Sequence, residues 1–128
     1  MNIKKNSSRK IIVAGSEGFL GQSISKSFED KGNEVIKLDL KLGHDFTKEN
    51  QVKSLMQSNK DAFTLITPFA LNPLPGEASY DIFNMPLDLV DSYLRGNLLS
   101  LFSVCREFAA VCPKGSSIIN FSSTYGVS

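Results

Sequence analysis

Three glycines at intervals of three, Gly15, Gly18 and Gly21, constrain this sequence more than any other feature. They follow Lys10 to Ala14, a short β-branched run that is typical of a buried strand. Apolar residues then recur at helical spacing until Gly32, so a helix follows the glycines. In a strand–turn–helix unit of this kind, bare main-chain N–H groups can approach a pyrophosphate at the helix N-terminus. The alternative is a tight strand–helix junction that binds no ligand.

Strand-like and helix-like segments alternate along the whole chain of 128 residues, which is one domain (1–128) by length. This alternation predicts a Rossmann-like α/β fold: a doubly wound parallel sheet with helices on both faces. The sheet looks incomplete at its C-terminal side, where the last strand would be an open apolar edge. The predicted strands are 10–14, 34–40, 62–67 and 117–121, with a short strand or connection at 43–47. The predicted helices start near Phe19, at a Thr47 cap and at Leu87, and the last one ends before Pro113.

Composition excludes several classes of function. A net charge of +1 argues against a nucleic-acid binder, and no apolar run approaches the ~20 residues of a membrane span. Cys105 and Cys112 lie two turns apart on one predicted helix, too far for a disulfide. With His44 as the one histidine and no closely spaced cysteine pair, we expect no metal site and a cytoplasmic location.

Polar side chains follow the predicted strands at their carboxyl ends, where parallel sheets bind ligands. Asp39 lies 24 positions after Gly15, and a carboxylate there can accept both hydroxyls of a ribose while repelling a 2′-phosphate. This favours NAD over NADP, although Lys41 could support NADP. Asp45 is placed to meet an adenine amino group. The structural alternatives are a turn cap for Asp39 and an ordinary loop residue for Asp45.

From Lys10 to the last residue, the sequence resembles the short-chain dehydrogenase/reductase superfamily. IIVAGSEGFLG (11–21) is similar to the nucleotide turn of that family, with the glycine spacing of its extended branch of sugar-nucleotide epimerases and dehydratases. DFT (45–47) is similar to its acidic adenine motif, and NLLSLF (97–102) to the helix that carries its proton-relay asparagine. SIINFSSTYG (117–126) is similar to the strand that leads to its catalytic serine, which aligns with Ser123.

The resemblance implies hydride transfer between NAD, or alternatively NADP, and a small-molecule carbonyl or secondary alcohol, with a sugar or nucleotide-sugar as one substrate class. It also implies a homo-oligomer. The implied catalytic residues are Ser123 and Asn97. The implied cofactor-binding residues are Gly15, Ser16, Gly18, Phe19, Leu20, Gly21, Asp39, Asp45, Phe46 and Thr67.

Two departures from the family pattern bear on function. TPFA (67–70) stands where the family carries a glycine-containing Asn-Asn-Ala-Gly motif, and Tyr125 has no lysine four residues on, so it is not the catalytic tyrosine. We therefore expect the chain to be the cofactor-binding half of a longer enzyme and to be inactive by itself. Two alternatives stay open: a non-catalytic, dinucleotide-binding redox sensor on the same scaffold, and a flavodoxin-like binder of phosphate or flavin.

Overall fold

The structure, a computed structural model, describes residues 8–70 and 80–122. Within these ranges four strands form one parallel sheet in the order β2-β1-β3-β4, which confirms the predicted Rossmann-like α/β architecture. The strands are β1 (Lys10–Ala14), β2 (Glu34–Leu38), β3 (Thr64–Thr67) and β4 (Ser117–Asn120). The helices are α1 (Phe19–Asp30), α2 (Glu49–Ser58), α3 (Leu87–Tyr93) and α4 (Ser100–Val111), with a 3-10 turn at Leu40–Leu42 and a π-helical segment at Leu94–Leu99.

The strand order creates a crevice between β1 and β3. The chain passes from β1 outward to β2 and then returns to the other side of β1 to form β3. Loops leaving the carboxyl ends of β1 and β3 therefore diverge to opposite sides, which opens a groove above the sheet. Gly15, the first residue after β1, lies so close to Phe69 beyond β3 that a Cβ at Gly15 would stand 2.6 Å from the Phe69 Cβ.

Helices cover both faces of the sheet, as predicted. The larger core joins one face, which includes Ile12 and Leu65, to the buried sides of α2 and α4. A smaller core joins Ile11, Val13 and Ile66 on the other face to Ile24 and Phe28 of α1. The residues that position the site thus lie directly above two packed layers.

Of the two predictions for residues 43–47, the connection is confirmed and the short strand was wrong. Within the described ranges, residues 43–47 contain no strand, because Asp39 caps the 3-10 turn instead and Gly43 turns the chain with a φ of 88°. The predicted Thr47 cap was also wrong, since α2 begins after Lys48, which makes no side-chain capping bond. Strand bounds also differ: β2 ends at Leu38, so that Asp39 is the first residue beyond it.

The long third predicted helix exists but changes character in the middle, where the π-helical segment connects α3 to α4. Its inward face also differs from the prediction. The hydrophobic spacing predicts Leu94, Leu98, Phe102 and Phe108 among the inward residues. Phe108 is buried, together with Ser100 and Val104, whereas Leu94, Leu98 and Phe102 are more than half exposed. The apolar residues Phe19 and Leu20 at the start of α1 are likewise exposed.

Candidate functional site

The glycine turn is closed by main-chain hydrogen bonds to the neighbouring strand. The N–H groups of Gly15 and Ser16 both donate to the carbonyl oxygen of Leu38, at 2.7 and 3.2 Å. Gly15 adopts a φ of 97°, in the left-handed region that favours glycine. These two amides are therefore occupied within the protein.

Gly21 allows the helix to approach the turn at very short range. A Cβ at this position would stand 1.9 Å from the carbonyl oxygen of Gly15, a separation that a side chain cannot adopt. A Cβ at Gly18 would contact only that oxygen, at 3.6 Å, which is an ordinary van der Waals distance. The third glycine is thus required by the fold, while the second sits on an exposed turn just before α1.

Free hydrogen-bond donors lie at the first turn of α1. Among the described residues, no acceptor is found for the main-chain N–H groups of Phe19, Leu20 and Gly21. Gly18 precedes the helix and has no side chain to cap it, and the first turn contains no acidic residue. The helix N-terminus therefore presents three unpaired donors and the positive end of its dipole, which together favour an anion.

Asp39 is held firmly beside this turn. Its carboxylate accepts hydrogen bonds from two main-chain N–H groups, that of Glu17 at 3.0 Å and that of Lys41 at 2.9 Å. The Lys41 bond is the turn cap that the sequence left open as the alternative role. A carboxylate has about four acceptor positions, so two positions stay available for a ligand.

Asp45 and Phe46 lie on the next loop. The Asp45 carboxylate accepts from both the hydroxyl and the main-chain N–H of Thr47, at 2.6 and 3.0 Å, and the hydroxyl bond first and then the N–H bond lower the pKa of Asp45. The Asp45 N–H donates to the side-chain oxygen of Gln51. The Phe46 ring lies 5.3 Å from that of Phe69, centroid to centroid.

These loops enclose an open pocket of about 250 Å³ above the sheet. Its walls are formed by four segments that are far apart in sequence. They are the turn after β1, the loop after β2, the residues after β3 and the helical segment around Gly96. The lining residues include Gly15, Asp39, His44, Asp45, Phe46 and Phe69. An aromatic, partly apolar wall beside a carboxylate suits a planar base attached to a sugar.

Thr67 and Asn120 form a second polar pair, at the carboxyl ends of β3 and β4. The Thr67 hydroxyl is buried and donates to the Asn120 side-chain oxygen at 2.6 Å. The Cys105 thiol points to the same oxygen at 3.6 Å, and burial raises the pKa of this thiol. The Thr67 side chain is thus occupied within the protein, and Asn120 is a polar residue at the sheet edge that the sequence analysis did not single out.

Asn97 lies inside the π-helical segment. Its side-chain amide donates to the carbonyl oxygen of Tyr93 at 3.1 Å, one turn back. Nearby, the buried Ser100 hydroxyl donates to the Arg95 carbonyl oxygen at 2.8 Å, five residues earlier. Single π-type turns within α-helices recur at functional sites, because they redirect side chains and release carbonyl groups.

Comparisons with known proteins identify the fold. No protein-family model and no curated protein matches the chain. A solved small-chain dehydrogenase matches with a TM-score of 0.81 and 14% identity over 91% of this chain and 61% of its own. A small-chain dehydrogenase in complex with NADPH gives 0.75 and 15% over 88% and 50%. A short chain dehydrogenase from Leptospira borgpetersenii serovar Hardjo-bovis with bound NAD+ gives 0.80 and 18% over 94% and 54%.

The chain has the fold of the short-chain dehydrogenases. It spans about half to three fifths of these solved dehydrogenase chains. The family resemblance noted from the glycine turn and the later motifs is therefore confirmed at the level of the fold.

Within this dehydrogenase fold, the predicted site residues fall into two groups. Gly15, Asp39, Asp45 and Phe46 line the pocket at the β1–β3 crevice, and Thr67 and Asn97 lie on β3 and the long helix. Ser123 lies outside the described residues. His44, a loop residue that the sequence analysis did not place in the site, lines the pocket and accepts a hydrogen bond from the Asp39 N–H.

None of the helices in the described ranges combines the length and the apolar character that a membrane crossing requires. Over those same ranges, no three His, Cys, Asp or Glu side chains are arranged to hold a metal ion.

Proposed function

We propose that this chain binds NAD and serves as the cofactor-binding part of an NAD-dependent oxidoreductase of the short-chain dehydrogenase type. One observation supports this proposal above all others: unpaired helix donors and a fixed carboxylate occur at one turn. The N–H groups at residues 19–21 have no acceptor within residues 8–70 and 80–122, and Asp39 is tied to the same turn through the Glu17 N–H at 3.0 Å. A dinucleotide needs both features, donors for its diphosphate and an acceptor for its ribose hydroxyls.

The charge around Asp39 favours NAD over NADP. A 2′-phosphate on the ribose would lie against the Asp39 carboxylate, with Glu17 next to it along the turn. The negative charges of the phosphate and the carboxylate would repel each other, and the repulsion grows where the crevice excludes water. Lys41 is exposed, and its contact with Asp39 is through its main-chain N–H. The similar dehydrogenases have been solved with NADPH in one case and NAD+ in another, which leaves the choice to these local charges.

The proposed reaction is the reduction of a carbonyl or the oxidation of a secondary alcohol on a small molecule. The bound nicotinamide ring supplies the hydride chemistry. By resemblance, Ser123 orients the substrate oxygen with a hydrogen bond, and Asn97 holds a water molecule of the proton relay. Neither side chain is acidic enough to protonate an alkoxide, so a further acid is needed. The glycine spacing favours a sugar or nucleotide-sugar as the substrate.

The affinity for NAD of the full-length protein and of its Asp39→Ala variant tests the proposal. Losing a charged acceptor of two hydroxyls should weaken NAD binding by about 10- to 100-fold. Binding of NADP should change much less, because the variant also loses the repulsion. Asp30→Ala is the matched control: this exposed carboxylate pairs with Lys26 at the far end of α1, so NAD affinity should not change. Equal NAD affinities of Asp39→Ala and wild type would refute the assigned role.

The alternative, a redox sensor without catalysis, would share this cofactor site. The two functions are separated by turnover, measured as oxidation of NADH with a panel of small carbonyl compounds. Binding of NAD by the full-length protein without any hydride transfer would favour the sensor.

We also propose that the protein is a cytoplasmic homo-oligomer. Leu94, Leu98 and Phe102 form an exposed apolar stripe on the long helix, and Leu98 is 60% exposed. A two-fold axis near Leu98 would pack this stripe against its own copy, as a self-complementary interface requires. The molecular mass in solution tests this arrangement, and a monomer would exclude it.

A further inference from the structure

His44 is engaged with Asp39 from both its main chain and its side chain. The Asp39 N–H donates to the Nδ1 atom of His44 at 3.1 Å. In return, the His44 N–H donates to the Asp39 carbonyl oxygen at 3.0 Å. The two hydrogen bonds close a ring across the 3-10 turn, so the conformation of Asp39 depends directly on the imidazole.

The Asp39 main chain would otherwise have an unpaired donor. Its carbonyl oxygen accepts from Leu42 as well as from His44, and its carboxylate accepts from Glu17 and Lys41. The N–H has one partner among the described residues, the His44 ring. Asp39 lies half-buried directly beyond β2, where an unpaired N–H would be unfavourable. The imidazole therefore fixes the residue that faces the ribose.

The direction of this bond also defines the state of the ring. Because Nδ1 accepts a hydrogen bond, it holds no proton, and the neutral imidazole carries its proton on Nε2. Only a side chain with an acceptor at the Nδ1 position can replace it. Asparagine has its Oδ1 atom at the same number of bonds from the backbone, whereas phenylalanine keeps the ring but has no acceptor.

We propose that His44 is a positioning residue for cofactor binding, which acts through Asp39 and holds its carboxylate in the orientation that the adenosine ribose requires. This inference rests on the proposed function, because it assigns His44 a part in the same NAD site. His44 lines the 250 Å³ pocket together with Asp39, but its contribution to affinity comes from the bond at Nδ1 and not from the ring surface.

NAD affinities of the full-length protein, measured by calorimetry for a matched pair of variants, test the inference. His44→Asn keeps the acceptor without the ring and should bind NAD within about twofold of wild type. His44→Phe keeps the ring without the acceptor and should bind about five- to tenfold more weakly. The reverse order, with Phe close to wild type and Asn impaired, would show that the ring packs against the ligand, and it would overturn the proposal.

A double-mutant cycle shows whether His44 acts through Asp39. In the Asp39→Ala background the main-chain N–H stays but the carboxylate is gone, so His44→Phe should cause no further loss of NAD affinity. A loss equal to that in the wild-type background would mean that His44 supports the loop independently of Asp39, and would refute the proposal. If His44→Phe fails to fold, His44→Ala takes its place in the same cycle. Failure of the proposed function is a different outcome, since wild type itself would then not bind NAD.

Discussion

The two sides of the crevice hold their polar groups in different ways. On the glycine-turn side, main-chain groups do most of the bonding: the amides at Gly15 and Ser16 bond to Leu38, and that at Glu17 bonds to Asp39. On the other side, at the ends of β3 and β4, side chains bond to side chains: Thr67 reaches Asn120, 53 residues away in sequence. The first arrangement joins β1 to β2, the next strand along the chain, whereas the second needs β3 and β4 to be in register although a long segment of chain separates them.

The strands that support the two sides also differ in their exposure to solvent. The turn lies above β1, whose residues from Ile11 to Ala14 are buried on both faces. On the other side every residue of β4 is exposed, including Ile118 and Ile119, as the prediction of an open apolar edge required. A site built on the first side is therefore supported by its own chain segment, while the second side depends on what contacts β4. This contrast predicts larger effects of mutation at the turn.

Gly21→Ala should have the largest effect. Its Cβ would stand 1.9 Å from the Gly15 carbonyl oxygen, and the main chain at Gly15 and Gly21 cannot move apart without opening the turn. We expect a loss of about 3 kcal/mol or more in the free energy of unfolding, as for severe overpacking. Urea unfolding of the full-length protein, followed by circular dichroism, measures it.

Gly18→Ala is the matched control for this effect. Its Cβ would meet only an ordinary contact at 3.6 Å, and its φ of −74° suits any residue. The expected loss is below about 1 kcal/mol, the range of a helix N-cap change. Equal losses in the two variants would mean that close approach at Gly21 does not hold the turn together, and the contrast between the two sides would lose its basis.

Thr67→Val should have an intermediate effect. The substitution keeps the shape of the side chain but removes the hydroxyl that donates to Asn120 at 2.6 Å, in a buried position. We expect the free energy of unfolding to fall by about 1 kcal/mol, since the hydrogen bond of a buried hydroxyl is lost. Thermal and urea unfolding measure the change.

Thr64→Val provides the control on the same strand. The Thr64 hydroxyl also bonds across to β4, to Ser117 at 3.2 Å, but this pair is exposed to water. Its loss should change stability by less than about 0.5 kcal/mol. If both variants lost the same unfolding free energy, burial would not explain the contribution of the Thr67 hydroxyl to stability. The polar groups at the ends of β3 and β4 would then behave as exposed surface residues.

The glycine-turn side was largely predictable from sequence, and particular residues show why. Residue spacing indicated β1, the turn and α1, because these segments follow one another directly and the pattern of each one predicts its own secondary structure. The same spacing could not show that the Gly15 and Ser16 amides are already bonded to Leu38, which is a contact between strands. His44 was missed for a similar reason, since its importance arises from one bond to the main chain of Asp39.

The long helix was less predictable because it contains two apolar stripes. One stripe runs through Leu94, Leu98 and Phe102, and the other through Ser100, Val104 and Phe108. Hydrophobic periodicity favours the first, which has the larger side chains. The structure buries the second, in which the small Ser100 satisfies its own hydroxyl at the Arg95 carbonyl oxygen, while Val104 and Phe108 pack in the core with Val52 and Met56 of α2. Which stripe is buried depends on where α2 packs, and the sequence of the long helix does not contain that information.

The smallest predicted effect concerns the loop that follows Asp39, and it tests whether local bonding on the turn side extends to Asp45. The Thr47 hydroxyl and N–H together lower the pKa of Asp45, with the hydroxyl as the larger cause. Thr47→Val removes the hydroxyl donor but keeps the N–H, so the pKa of Asp45 should rise part of the way towards its ordinary value. Thr47→Ser keeps both donors and should leave the pKa unchanged. Carboxyl-carbon NMR titration measures all three.

The sign of the accompanying stability change follows from the direction of this shift. Because folding lowers the pKa of Asp45, its bonds to Thr47 stabilise the folded state above the unfolded-state pKa of about 4, and this contribution disappears as the pH falls through the folded value. Wild type and Thr47→Val should therefore differ most in unfolding free energy near neutral pH and converge in acid. A difference that stayed constant down to acid pH would assign the effect of Thr47 to packing. Local bonding would then end at the 3-10 turn, and Asp45 would be an ordinary loop residue.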